Sequence, residues 1–169
     1  GTDSISIHEE IQFVEAYLEL QKYRFGNRLS YQIDVEDSCR GYCVPKLTLV
    51  TFAENACVHG LENKTAAGWI FVRCYCDEGV LCMEVEDTGH GMSPDLVRDM
   101  QENMNNASMQ LLKENRRVGI MNACLRLRMA TGNQACFELE SEKGSGTIIT
   151  IKIPVDALHK KAWKQNENI

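Results

Sequence analysis

The 169-residue sequence predicts an α+β domain, a two-layer α/β sandwich with helices on one face of a mixed sheet. Three observations carry that expectation. Segments of helical period mix with segments of period two. Two pairs of strand-like runs are joined by short, glycine-containing spacers, as antiparallel hairpins are. No regular β-α-β alternation, the mark of an all-parallel sheet, runs through the chain.

Residues 6–25 have helical period. Ser6 with Glu9 three places on is a capping box. Ile11, Val14, Tyr17, Leu18 and Phe25 fall on one face, and Gly26-Asn27 is a left-handed stop. Residues 29–36 alternate as a half-buried strand does. Pro45 precedes an apolar stretch, 47–59, that suits a buried helix with proline in its first turn. Residues 69–76 and 80–86 form a hairpin around Asp77-Glu78-Gly79. The loop Asp87-Thr-Gly-His-Gly-Met92 follows at once. Ser93-Pro94 opens a short helix reaching Met100. Residues 101–115 are polar and crowded with Asn, Gln and Met, which predicts a mobile stretch with a weak helical bias around 109–113. A helix over 118–130 carries the stripe Ile120, Cys124 and Leu127 and stops at Thr131-Gly132-Asn133. Strands at 134–141 and 147–153 flank a tight turn at 143–146, Pro154 ends the last strand, and 157–164 are expected to form a terminal helix.

Composition narrows the function classes. Against 18 Lys plus Arg stand 24 Asp plus Glu, a net charge of −6. That balance argues against a general nucleic-acid binder or a binder of anionic membranes, both of which need a basic face. Charged residues at 25% and hydrophobic ones at 44% are values of a folded globular chain. No apolar run approaches the roughly 20 residues that span a bilayer, and no signal peptide opens the sequence. The expectation is no direct membrane contact by these residues. The eight cysteines are scattered within apolar runs. Cys39-x3-Cys43 and Cys74-x-Cys76 lack the second pair that a zinc site requires, so buried thiols in a reducing, cytoplasmic compartment are expected.

Four short segments carry the chemistry. Glu54-Asn55-Ala-Cys-Val-His59 lies on the buried helix, Asp87-x-Gly89-x-Gly91-Met92 follows a strand, Gly119 opens a helix after the polar stretch, and Gly144-Ser-Gly146-Thr147 precedes a strand. Each is weak alone; their order, spacing and context together are specific. Asn55 offers a neutral amide oxygen on a rigid helix, suited to a hard cation that keeps most of its waters. Asp87 ends a strand, where a carboxylate can accept the exocyclic amine of adenine and reject guanine. Gly89 and Gly91 let backbone pass close to a base without a Cβ. Gly119 sits where free N–H groups and the positive helix end favour phosphate.

With these boxes in this order, the chain resembles the ATP-binding catalytic domain of sensor histidine kinases, within the gyrase, heat-shock chaperone and mismatch-repair ATPase superfamily. The resemblance covers about residues 5–155. The run Glu9-Glu-Ile-Gln-Phe-Val-Glu-Ala-Tyr-Leu-Glu-Leu-Gln-Lys-Tyr-Arg-Phe25, followed by Gly-Asn-Arg-Leu29, is similar to the linker segment of the LytS/YesM-type subfamily of membrane-anchored bacterial kinases. The resemblance implies the Bergerat ATP-binding fold, with ATP and Mg²⁺ as ligands and Asn55 as the metal ligand. It implies nucleotide contacts from Asn55, His59, Asp87, Gly89, Gly91, Met92, Arg117, Gly119, Gly144, Gly146 and Thr147, beneath a lid over 101–117. Glu54 is the candidate catalytic residue, positioning or activating through a water, with a plain hydrogen bond to a loop as the alternative. Residues 1–28 would be a linker helix from an upstream dimerisation and phosphoacceptor domain, 29–156 the catalytic domain and 157–169 a tail. The partner implied downstream is a response regulator, and the location a cytoplasmic domain of a membrane-anchored protein.

Three departures from the resembled pattern stand out. Val58 replaces a common Lys, Val50-Thr51 a common Gln-Pro, and Arg117-Val-Gly119 a common Gly-x-Gly. The lost cation and the lost glycine both lower phosphate-cradling capacity, which keeps a degenerate nucleotide-binding or structural module as the alternative. His8, His59, His90 and His159 all lie outside a phosphoacceptor context, so this chain is expected to bind ATP without autophosphorylating alone.

Overall fold

The computed structural model describes residues 3–62, 66–114 and 118–163. Helix α1 (Ile7–Phe25) starts where the capping pair predicts: Ser6 Oγ accepts the Glu9 N–H at 3.1 Å and donates to Glu9 Oε1 at 3.0 Å. Ile7, Ile11, Val14 and Leu18 are buried beneath it. Gly26 at φ +63° ends it, its N–H returning to the Lys22 carbonyl. Strand β1 (Ser4–Ser6) precedes the helix and pairs antiparallel with β3 (Cys43–Pro45). Strands this short carry no period, so sequence reasoning missed both.

The main sheet is built from β2 (Leu29–Val35), β4 (Gly68–Asp77), β5 (Val80–Asp87), β6 (Cys136–Glu142) and β7 (Gly146–Pro154). Its order is β2-β4-β5-β7-β6, with β2 parallel to β4 and the remaining neighbours antiparallel. The parallel pair is possible because α2 (Thr48–Asn55) lies in the connection between them. Alternation sorts the two faces: Ile70, Val72, Met83, Val85, Ile149 and Ile151 are buried on one. The opposite face carries exposed Trp69 and the ion pairs of Arg73 with Glu86 at 2.6 Å and Lys152 with Glu138 at 2.9 Å. Helices α1, α2 and α5 (Val118–Ala130) share one core with the buried face. The α+β sandwich with a mixed sheet is therefore the observed architecture.

Helix α2 passes without a break into a π-turn, Ala56–Leu61, where the Glu62 N–H bonds the Cys57 carbonyl five residues back at 3.0 Å. All eight cysteines are free thiols. Five are buried, whereas Cys136 is exposed on the edge strand.

Two expectations need correction. Helix α3 (Pro94–Asn105) extends beyond Met100, and α4 (Met109–Glu114) follows it. The polar residues that suggested mobility are used by the sheet: Asn105 donates to the Phe137 carbonyl at 2.8 Å and accepts the Phe137 N–H at 2.9 Å, while Gln101 accepts the Leu139 N–H at 2.9 Å. The expected terminal helix is also absent over its described residues. After a 3₁₀ turn, Val155–Ala157, the chain runs extended, with the His159 carbonyl accepting the Cys43 N–H at 2.8 Å and the Lys161 N–H donating to the Gly41 carbonyl at 2.9 Å. His159, Lys160 and Lys161 in succession offer no apolar helix face to bury, and the backbone finds partners in the connector before β3 instead.

Candidate functional site

One face of α2 and its π-turn presents Thr51, Glu54, Asn55, Val58 and His59, spaced as successive turns of a helix require. The opposite face, Phe52, Ala53, Ala56 and Cys57, is buried. The presented face meets the first turn of α5 in a cleft of about 280 Å³, closed on that side by Val118, Gly119 and Ile120. Glu54, Asn55, His59 and Gly119 thus come together from two elements far apart in sequence.

Beneath the cleft the chemistry is neutral. Burial pushes the Cys57 thiol up to about 12, and burial with the nearby Cys57 and Glu54 raises the Tyr17 phenol as well. Neither ionises near pH 7; the ionisable side chains that line the cleft itself are Glu54 and His59.

Asp87 lies behind the cleft, joined to it through Gly60, the residue after His59. It is 5% exposed. Its Oδ1 accepts the Gly89 N–H at 2.8 Å, and a Cβ on Gly60 would stand 2.6 Å from its carboxylate. The loop that follows is tied on both sides. The His90 N–H bonds the Gly60 carbonyl at 3.0 Å, and the His90 carbonyl accepts the Gly144 N–H at 2.7 Å. Ser141, which sequence reasoning did not single out, holds three groups: its Oγ accepts the Met92 N–H at 2.9 Å, donates to the Gly146 carbonyl at 2.7 Å and lies 2.8 Å from Thr147 Oγ1. Asp87 pairs with Thr147 across β5 and β7. Gly89, Gly91, Gly144, Gly146 and Thr147 therefore gather around Asp87, while the Met92 side chain is buried in the core.

The glycines sort into two kinds. A Cβ on Gly89 would lie 1.8 Å from the Gly60 carbonyl oxygen, one on Gly91 2.0 Å from that of Glu142, and one on Gly146 2.0 Å from that of Asp87. The protein's own backbone demands glycine at these positions. Gly119 differs. Among the described residues a Cβ there would meet only Thr51 Cγ2, at an ordinary 3.7 Å, so none of them requires a residue that costs about 1 kcal/mol relative to alanine in a helix. Gly60 was also missed, because a glycine one step past a motif carries no periodic signal. Arg116 and Arg117 lie outside the described residues.

A magnesium ion fits this donor set. Among the described residues no cluster of three or more His, Cys, Asp or Glu is placed to cage a metal. The cleft instead offers the Asn55 amide and the Glu54 carboxylate, few protein oxygens, as suits a cation that keeps its waters and is bound chiefly through phosphates. No described helix is long and apolar enough to cross a membrane.

Residues 44–157 match the family described as histidine kinase-, DNA gyrase B-, and HSP90-like ATPase, and residues 1–29 match one described as histidine kinase. The chain is 31% identical over 152 residues to sensor histidine kinase YesM of Bacillus subtilis (strain 168), covering 90% of this chain and 24% of YesM. It is 28% identical over 150 residues to sensor protein LytS of Bacillus cereus, covering 89% of this chain and 25% of LytS. It thus spans about a quarter of the length of these curated relatives. The histidine kinase domain of the Erythrobacter litoralis EL346 blue-light activated histidine kinase shares the fold with a TM-score of 0.59 at 18% identity, covering 90% of this chain and 62% of that one.

Proposed function

Because this chain belongs to the family of histidine kinase-, DNA gyrase B- and HSP90-like ATPases, we propose that it is the ATP-binding catalytic domain of a two-component sensor histidine kinase. The domain binds ATP with Mg²⁺ and presents the γ-phosphate to a histidine on an upstream domain, from which it passes to a response regulator. Residues 1–28 are the linker helix from that dimerisation and phosphoacceptor domain, 29–156 the catalytic domain and 157–169 the tail. The whole protein is membrane-anchored, and this part faces the cytoplasm.

Asn55 ligates the metal, and Glu54 beside it positions or activates through a water. Gly119 and the N–H groups of the first turn of α5 receive phosphate across the cleft, where little covalent work is needed beyond positioning and charge neutralisation. Asp87 reads the adenine amine, held in place by Gly89 and backed by Gly144, Gly146 and Thr147. His59 flanks the phosphates, and Arg117 is a further candidate phosphate contact from the sequence. The observation that carries this reading is Gly119: a helix-start glycine that packing among the described residues does not need, facing Asn55 across an open cleft.

Calorimetry with a non-hydrolysable ATP analogue and Mg²⁺ tests it. Asn55→Ala should weaken Mg²⁺-dependent binding by at least about tenfold, or ~1.4 kcal/mol, with the circular dichroism spectrum unchanged. Asp87→Asn should erode the preference for adenine over guanine nucleotides. Unaltered affinity in both variants, or no binding by the parent chain, overturns the reading.

A further inference from the structure

Two of the eight thiols meet sulfur to sulfur. Cys39 closes the 3₁₀ turn Asp37–Cys39, in the connector between β2 and β3, and Cys76 lies near the end of β4. Their Sγ atoms are 3.3 Å apart, the only thiol–thiol hydrogen bond among the described residues. A covalent sulfur–sulfur bond is ~2.05 Å long, so closure asks for a shift of roughly 1.3 Å. Cys39 is fully buried and Cys76 half-buried, so one residue is open to solvent and the other is packed behind it. Apolar packing alone does not call for sulfur to face sulfur at the end of a strand. Burial and the hydrogen bond with Cys76 push the Cys39 thiol up to about 12, which marks it as the second thiol to react, not the first. The connector is tied onward through backbone. The Cys39 carbonyl accepts the Tyr42 N–H at 3.2 Å, and the carbonyls of Tyr42 and Arg40 accept the N–H groups of Ile7 at 2.8 Å and His8 at 3.0 Å. Whatever holds Cys39 therefore also holds the entry turn of α1.

We propose that Cys39 and Cys76 are a reversible oxidation site, at which hydrogen peroxide converts the facing thiols to a disulfide that ties the β2–β3 connector to β4. The Cys76 sulfur, as thiolate, attacks one peroxide oxygen and the O–O bond breaks. The sulfur becomes a sulfenic acid, and the released hydroxide leaves as water with the thiol's proton. The Cys39 sulfur then attacks the sulfenic sulfur, the S–O bond breaks, and a second water leaves with the Cys39 proton. The two thiols lose two electrons and two protons, and the peroxide gains both. A small thiol reverses the change by exchange. In a reducing compartment a bond of this kind is transient and reports on oxidant. No cleft residue takes part, so the site stands apart from the nucleotide reading.

Mass spectrometry of the folded chain after hydrogen peroxide tests it, in a Cys136→Ser background because Cys136 is exposed. The chain should become ~2 Da lighter, peptide mapping should find Cys39 joined to Cys76, and dithiothreitol should restore both thiols. Cys39→Ser should leave Cys76 as a sulfenic acid that dimedone labels at least about tenfold more than in the Cys39 parent, where the second thiol removes it. Cys76→Ser should leave Cys39 unoxidised over the same time. Oxidation should also slow hydrogen exchange at Ile7 and His8. Should Cys39→Ser fail to fold, the peptide map of the Cys39 parent still decides. The absence of the Cys39–Cys76 link, a link from Cys39 to Cys74 or Cys43 in its place, dimedone labelling of Cys76 that ignores Cys39, or unchanged exchange at both amides overturns the proposal.

Discussion

Glu10 is fully buried, yet it is a carboxylate with no lysine or arginine hydrogen-bonded to it among the described residues. Its oxygens accept the N–H groups of Leu47 at 3.0 Å, Leu49 at 2.9 Å and Val50 at 3.5 Å. Leu47, at φ +68°, gives α2 no side-chain cap, so the cap comes from another helix and the negative charge sits on the positive helix end. Burial raises the pKa of Glu10; the three N–H groups and the more distant charge of Arg126 offset part of that. A folded-state pKa above the unfolded one means that the protonated form favours folding. That contribution is whole below the unfolded value of ~4.3 and is lost as pH rises through the folded value. Relative to Glu10→Gln, the parent should therefore lose melting temperature as the pH rises from about 4; a gap between the two that stays constant or moves the other way contradicts this account. The sequence marked Glu9 as the capping-box partner of Ser6 and gave Glu10 no role of its own. Which of them turns inward depended on where α2 lies.

The edge strand β6 shows the same limit one level up. An edge exposes unpaired N–H and C=O groups that invite association. Here α3 supplies an amide in place of a neighbouring strand, Asn105 both donating to and accepting from Phe137. Asn105→Ala should cost ~1–3 kcal/mol in chemical denaturation and speed hydrogen exchange at Phe137; unchanged exchange there would show that the amide does not seal the edge. The segment 101–115 looked mobile because composition reports polarity and not its use. By contrast α1, α5 and both hairpins were readable, since each has a long period and a marked stop. The π-turn after Asn55 was not, because it keeps a helical pattern while shifting its hydrogen bonds by one residue.

Across the whole molecule, the last described residues return to the start of α1. Trp163 stacks on His8 with ring centroids 5.3 Å apart, Arg40 lies over the Trp163 ring at 5.4 Å, and Lys161 reaches Glu9 at 2.6 Å. The Lys161 bond holds the Glu9 carboxyl below its ordinary range, with Ser6 helping. This strap closes on the entry turn of α1, where the Ile7 N–H bonds the Tyr42 carbonyl at 2.8 Å and that of His8 bonds the Arg40 carbonyl at 3.0 Å. Trp163→Ala should raise hydrogen exchange at Ile7 and His8 while nucleotide affinity changes by less than about twofold. Equal protection in the variant would mean that the strap is not what holds that turn.

The sequence by itself determined the α+β class, the long elements and the identity of the site-forming segments, because period, stops and the order of glycine-bearing boxes are local properties of the chain. It also marked Asn55, His59, Asp87 and Gly119 as residues to watch. Only the tertiary structure decided that Gly89, Gly91 and Gly146 answer to neighbouring backbone while Gly119 does not. It alone revealed that Glu10 caps α2, that Ser141 ties two loops, and that the tail straps α1. Those are contacts between residues far apart in the chain, and no local pattern encodes which distant groups will meet.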